Sequence, residues 1–406
     1  FLLLLSLSSK AQVNLDSLWT IWNDKTQSDT NRLKAMNKIA WDGYLFSQPD
    51  SAFYFAKKGY DFAESRNNKK WIAAALNIQG ISFVLAGNNE KGLEYFLKNL
   101  EIYKEIDDKK GIRKSYNNIG NIYLGQGNYE KALECYSKSL TIEKELGAKK
   151  EMGDSSNNIG SIYYKQGNYD KALEYYSKSL AIRKEIGDKK AMGASYNNIG
   201  VIYEEQGNYE KALEYHSKSF AIHRKLGNKR GMGTSNHNIG LIYDDKGNYE
   251  KALEYFSKSL AIEKEIDNKR GMGKSYHNIG VIYKKQGNYE KALEYLLKSK
   301  NITQEINTIQ NLDETSEALS EVYKKLGKYK QALEMHELYM ETKDSIAKMD
   351  AEEELYKYEV DKEYELKKQA DSILHADEIL IQQVENLAKE EQLKSEKQRR
   401  TGLLVI

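Results

Sequence analysis

Residues 115–120 read SYNNIG, and near copies return as SSNNIG at 155–160, SYNNIG at 195–200, SNHNIG at 235–240 and SYHNIG at 275–280. The step is 40 residues each time. Aligning on the last residue of the motif gives Gly80, Gly120, Gly160, Gly200, Gly240 and Gly280, and a second series, the alanine of YEKALE, gives Ala132, Ala172, Ala212, Ala252 and Ala292. The alanine register extends outward to Ala52 and Ala332, so units start near 33, 73, 113, 153, 193, 233, 273 and 313. A fixed period of this length marks a solenoid, in which each unit buries its apolar face against its neighbours.

Within one unit, Ile119, Ile122 and Tyr123 are spaced for a helix. Gly127-Asn128 then supplies a C′ glycine followed by a capping asparagine, so a second helix begins near Tyr129. Ala132, Leu133, Tyr136 and Leu140 continue an apolar stripe, and the polar stretch GAKK, GDKK or GNKR ends it. Each unit is a helical hairpin, with Gly120 and Ala132 small where its two helices must approach closely. A single proline, Pro49, leaves helix interiors unbroken. The expected fold is all-α, a right-handed solenoid of about eight hairpins followed by a long charged helix or coiled coil.

This pattern resembles the tetratricopeptide repeat family, whose signature positions fall in the third unit on Tyr116, Ile119, Gly120, Tyr123, Ala132 and Tyr136. The 40-residue length is similar to the longer variety of a repeat that usually has 34 residues. The signature proline near the end of a unit is absent. The outer units depart further, with Ala40 and Ser320 where glycine is expected, as terminal units do when they act as caps.

Beside the packing stripe, Asn117, Asn118, Asn121 and Gly125 share an adjacent face of the first helix. The resemblance implies that this face lines a concave groove, with Asn118, Asn158, Asn198, Asn238 and Asn278 forming a ladder along it. An asparagine amide carries donors and an acceptor, so it can pair with an extended peptide backbone largely regardless of ligand sequence. Such solvated side chains should be removable at little cost to folding; the competing reading is that they bond to a neighbouring helix. The preceding position holds Asn117, Asn157, Asn197, His237 and His277, while Asn121, Ser161, Val201, Leu241 and Val281 lie further along. Charge at the far edge, Lys165, Glu204, Glu205, Asp244, Asp245 and Lys285, concentrates acid in the fifth and sixth units, where it would favour basic side chains.

Lys and Arg number 62 against 60 Asp and Glu, and the net charge of +2 gives no global field toward nucleic acid. The six histidines form no H-x-x-x-H pair, and the lone Cys135 excludes Cys-x-x-Cys and any intramolecular disulfide. His237 and His277 read as groove residues rather than metal ligands. Recurrent GMG reads as turn glycines without the strand that a phosphate loop needs. Neither cofactor nor metal is implied, and the chain by itself is not read as an enzyme.

Residues 1–11 (FLLLLSLSSKA) are similar to the end of a signal peptide cleaved before Gln12, which suggests export to the periplasmic side of a bacterial inner membrane; a cytoplasmic location is the alternative. Residues 12–32 read as an N-terminal helix, 33–346 as the solenoid and 347–400 as a charged helix. There Leu366, Ile373, Leu380 and Leu387 repeat every seven residues and suggest a homodimer through 355–395. The closing 401–406 (TGLLVI) resemble the first residues of a cut-off membrane helix and are the chain's only membrane contact. This order is similar to the sensory part of bacterial membrane-anchored signalling proteins, whose output domain (a histidine kinase, SpoIIE-like phosphatase or cyclase) would lie beyond it. The expected role is capture of a peptide or protein segment; a non-signalling assembly scaffold is the alternative.

Overall fold

The computed structural model describes residues 14–352 except 307 and 310, together with the isolated positions 354, 355, 358, 362, 386 and 389. Residues 1–13, the heptad positions 366, 373, 380 and 387 and the stretch 401–406 lie outside them. The chain divides into two compact units at 347/348. The first is an all-α solenoid. It opens with α1 (Leu15–Asn23) and α2 (Asp29–Lys38), the latter running into a π-helical turn, Ile39–Tyr44, and then α3 (Pro49–Ser65). Three hairpins follow: α4 (Lys69–Leu85) with α5 (Asn89–Glu105), α6 (Lys109–Gly125) with α7 (Tyr129–Leu146), and α8 (Lys149–Lys165) with α9 (Tyr169–Glu185). Then come α10 (Lys189–Glu205) with α11 (Tyr209–Lys225), α12 (Lys229–Asp245) with α13 (Tyr249–Glu265), and α14 (Lys269–Lys285) with α15 (Tyr289–Glu305). Finally α16 (Leu312–Lys325) precedes a helical stretch that starts at 329. In the second unit residues 348–352 are helical.

Within the expected N-terminal helix, the described residues 14–32 do not form one helix. The Asp24 carboxylate accepts bonds from the Thr26 amide (2.9 Å) and hydroxyl (2.7 Å), folding a turn, and Ser28 caps α2. Trp19 and Trp22 of α1 pack edge-on against Phe55 and Phe62 of α3, each with ring centroids 5.3 Å apart.

One dipeptide makes each hairpin bend. Gly127 sits at φ +70°, the Asn128 amide donates back to the Tyr123 carbonyl at 2.8 Å, and the Asn128 side chain accepts from the Lys131 amide at 3.1 Å. The glycine thus closes the first helix in a left-handed conformation that a side chain would resist, while the asparagine caps the second.

Hairpins close through a small residue under a large one. Tyr136, His216, Phe256 and Leu296 are fully buried. Each lies over a glycine where an added Cβ would meet the ring or chain: 3.0 Å at Gly120, 2.7 Å at Gly200, 2.7 Å at Gly240 and 2.6 Å at Gly280. In four units the residue one position after that glycine matches the chemistry of the lid; His216 is the exception, since Val201 follows Gly200 and the histidine ring bonds Asn197 instead. Asn121 accepts from the Tyr136 hydroxyl (2.6 Å) and Ser161 bonds the Tyr176 hydroxyl (3.0 Å), whereas Phe256 and Leu296 belong to units carrying Leu241 and Val281. Buried polar tips need partners and apolar lids do not, so the polar residues Asn121 and Ser161 answer to internal packing.

Joints between hairpins hold a second buried position, occupied by Glu143 (0 % exposed), Arg183 (6 %), His223 (6 %) and Glu263 (5 %). Glu143 accepts from Ser139 (2.9 Å) and Ser155 (3.0 Å); Arg183 donates to Ser195 (2.7 Å) and pairs with Asp154 at 3.1 Å. The GMG glycines are therefore not turn residues. Gly231 and Gly233 lie in α12 and Gly271 in α14, where added Cβ atoms would fall 2.4 Å from His223 and 2.3 and 2.5 Å from Glu263. They leave room for those side chains.

Gly240→Ala should cost about 1–3 kcal/mol in urea unfolding by forcing Phe256 out of place. Gly125→Ala, whose Cβ meets nothing within 4 Å, should instead gain up to about 1 kcal/mol through helix propensity.

Candidate ligand-binding groove

Successive first helices touch one another, α2 with α4, α10 with α12, α12 with α14 and α14 with α16, whereas among the described residues the second helices make no comparable contacts with one another. The first helices therefore lie on the shorter, concave side. Every asparagine of the proposed ladder sits there, half-buried.

Three of them are joined in a zipper. Asn118 donates through Nδ2 to Oδ1 of Asn77 at 2.8 Å, Asn198 to Asn157 at 3.0 Å and Asn238 to Asn197 at 2.9 Å. The second asparagine of one motif thus reaches the first asparagine of the preceding unit. Asn197 also accepts from His216 Nδ1 at 3.1 Å, which fixes the proton on that ring nitrogen. Elsewhere the first asparagine turns inward: Asn117 donates to Ser139 Oγ at 2.5 Å and to Glu143 Oε1 at 3.3 Å. Each zipper bond engages one N–H of an amide with two, so Asn118, Asn198 and Asn238 retain their Oδ1 and second N–H, which have no other partner among the described residues.

The histidines that replace the first asparagine are held neutral. Burial pulls both His237 and His277 down to about 4, with Lys274 and Lys284 respectively adding to the effect. His237 packs on Phe256 (centroids 5.7 Å), and His277 Nδ1 lies 2.9 Å from Thr315 Oγ1.

The edge charges are partly engaged along the same spacing. Glu205 accepts from the hydroxyls of Tyr164 (3.0 Å) and Tyr169 (3.2 Å), and Lys285 pairs with Asp244 at 2.7 Å. Glu204 lies 3.7 Å from His216, while Lys165 is exposed without an ion pair among the described residues. Burial and the neighbouring carboxylates of Glu204 and Asp244 raise the Asp245 carboxyl above its ordinary value, against the pull of Lys285. Of the four acids only Asp244 forms an ion pair with a lysine or arginine among the described residues.

Sequence reasoning missed two recesses at the other end of the groove. One, of about 580 Å³, is lined by Lys38, Trp41, Asn77, Ile78, Lys114 and Asn118 among others. The second, of about 410 Å³, is lined by Ile81, Val84, Phe96, Asn118, Ile122 and Gly125 among others. For the second, the available signal was the uncharged edge in these units, Val84-Leu85 and Leu124-Gly125, where later units carry Tyr164-Lys165 or Glu204-Glu205. Among the described residues no group of side chains could hold a metal ion, and no helix is long and apolar enough to cross a membrane.

A curved array of helical hairpins with a polar inner face defines an α-solenoid interaction module. The family model described as tetratricopeptide repeat matches residues 71–145, 151–225, 191–265 and 271–345, more than half of the chain, which therefore belongs to the tetratricopeptide repeat family. No curated protein sequence matches it. Among solved structures, the chain is similar to a Pyrococcus horikoshii signal transduction ATPase with numerous domains that carries a tetratricopeptide repeat sensor (TM-score 0.59, 20% identity, covering 84% of this chain and 53% of that one). It is also similar to the apo quorum sensor NprR from B. thuringiensis (TM-score 0.59, 15% identity, 81% and 97%). A third likeness is to a Rap protein complexed with competence and sporulation factor (TM-score 0.51, 14% identity, 82% and 97%). At these identities the likeness is one of fold.

Because His237 and His277 titrate near 4 when folded and near 6.5 when unfolded, the unfolded chain binds more protons between those values. The stability they contribute is complete above about 6.5 and drains away as pH falls toward 4. Replacing both by Asn, the residue of the preceding units, should flatten the fall of the urea midpoint between pH 7.5 and 5; an unchanged slope would contradict the assignment.

Proposed function

We infer that this chain is a peptide- or protein-capturing module whose concave face holds an extended segment. The observation that carries the reading is the asparagine zipper: the inner helices α6, α10 and α12 present amides that are fixed by one bond and still offer a donor and an acceptor. An extended backbone offers the complementary pair at every residue, and a fixed amide loses little entropy on binding. Glu204, Glu205 and Asp245 would favour basic side chains near the fifth and sixth units, with Asn158 and Asn278 continuing the ladder on either side. The chain supplies recognition, and any chemistry belongs to another module. Two of the similar folds are a quorum sensor and a Rap protein complexed with competence and sporulation factor, which accords with a sensory role.

The test pairs selection from a random peptide library with thermal unfolding of wild type, Asn198→Ala and Glu205→Lys. Losing the zipper bond should cost stability modestly, about 0.5–1.5 kcal/mol less what alanine returns as a helix former, and should weaken peptide capture by about 1–3 kcal/mol. Glu205→Lys should change which peptides are enriched and reduce salt sensitivity. Peptide capture untouched by Asn198→Ala, with a large fall in melting temperature, would make the asparagines struts alone.

The apolar run before Ser9-Lys10-Ala11 supports export, with the module on the periplasmic side and a signalling output beyond the charged tail. Expressed with its natural N-terminus, the protein should be trimmed near Gln12 and recovered from the periplasm. Untrimmed protein in the cytoplasm would contradict this.

A further inference from the structure

Building on the groove reading, we propose that the two recesses of the N-terminal units form the anchor of the site, taking two apolar side chains of the peptide, the first next to a carboxylate. The recesses meet at Ile81 and Asn118, which line both. Side chains on one face of an extended chain recur every two residues, roughly 7 Å apart, so adjacent recesses accept positions i and i+2. Between them lies Asn118, held by Asn77 at 2.8 Å and able to pair with the intervening backbone.

The apolar character follows from what lines each recess. The inner one exposes Trp41 (36%) beside Ile78, and Trp41 sits in the π-helical turn that interrupts the first helix, edge-on to the exposed Phe46 at 6.2 Å. π-helical turns often occur at functional sites, because they re-aim one side chain out of helical register. The outer recess is floored by Phe96 and Ile122 and opens past Gly125, where an added Cβ would meet nothing within 4 Å.

Charge selects the carboxylate. Lys38 and Lys114 line the inner recess without ion-pair partners among the described residues, and Arg113 beside them is held by the buried Glu143 at 3.5 Å and by Glu151 at 3.7 Å. One acid, Asp42, opposes the two free lysines. The corresponding edge of the fifth and sixth units is acidic, so the groove is polarised along its length. A peptide with its acidic, apolar part at one end and basic residues at the other has only one favourable direction of entry.

The test uses the full chain and fluorescent synthetic peptides in which Asp-Phe-Ser-Leu, or its reverse Leu-Ser-Phe-Asp, is embedded in Gly/Ser. Phe and Leu replaced by Ala should each weaken binding about tenfold or more, and Asp replaced by Lys should weaken it as well. Gly125→Trp should close the outer recess and abolish the Leu contribution alone. Trp41→Ala should reduce the Phe contribution, and Lys38→Glu combined with Lys114→Glu should invert the preference for Asp over Lys. Melting temperatures near wild type verify that the variants fold. A random peptide library selected on the same protein separates the two claims. Enrichment of an acidic, apolar-x-apolar core that Gly125→Trp removes supports the anchor. Enriched peptides without that core, indifferent to Gly125→Trp and Trp41→Ala, overturn the anchor and leave the groove standing. If no library peptide is enriched and neither synthetic peptide binds, both readings fail.

Discussion

Everything in this solenoid depends on the closeness of the two helices in each hairpin, set where a large buried side chain of the second helix lies on a glycine of the first. Phe256 over Gly240 and Tyr176 over Gly160 leave no space for a methyl group. Because this contact repeats every 40 residues, the hairpins share one close helix spacing, and the first helices of neighbouring hairpins come into contact on the inside of the curve. The concave face is a consequence of that spacing, and so is the nearness of residues on adjacent first helices that makes a side-chain zipper feasible.

The same amides join the units and face the groove. A side chain that only bridged helices could be buried and apolar at far less desolvation cost; one that only met ligand would be mobile and would lose more entropy when it bound. A half-buried asparagine with one N–H engaged lies between these limits. Its neighbours follow the same spacing: Tyr164 with Glu205 and Asp244 with Lys285 link residues of consecutive units just as Asn157 and Asn198 do. Near-identical units are also made distinguishable at their joints, since Glu143 needs the hydroxyl of Ser155 while Arg183 needs Ser195 and Asp154. Buried polar contacts of this kind can specify which neighbours fit, at some expense in stability.

The fold was legible because period, capping dipeptide and small-under-large pairing are all local patterns or exact multiples of one repeat. What escaped were relations offset by one residue from that period. Asn118 bonds Asn77, not its own counterpart Ile78, so a column of aligned residues conceals the pair. Asn121 and Ser161 share a face with the groove asparagines in sequence, whereas their partners, the Tyr136 and Tyr176 hydroxyls, lie on the following helix 15 residues away. The GMG glycines resembled turn residues because glycine in a helix is unfavourable alone, and only the volume of His223 and Glu263 explains the cost. The recess past Gly125 was hidden in another way: it opens where Val84 and Gly125 carry no charge, and absence of charge has no motif.

The central claim is that ligand lies against the inner helices. Amide hydrogen exchange measured with and without a captured peptide tests it most directly, since bound backbone and rigidified helices exchange more slowly. Protection concentrated in the first helices, 69–85, 109–125, 189–205 and 229–245, is the result this account requires. Protection confined to the outer second helices, around the exposed pairs Glu134/Lys138 and Glu174/Lys178, with the inner helices unchanged, would contradict it.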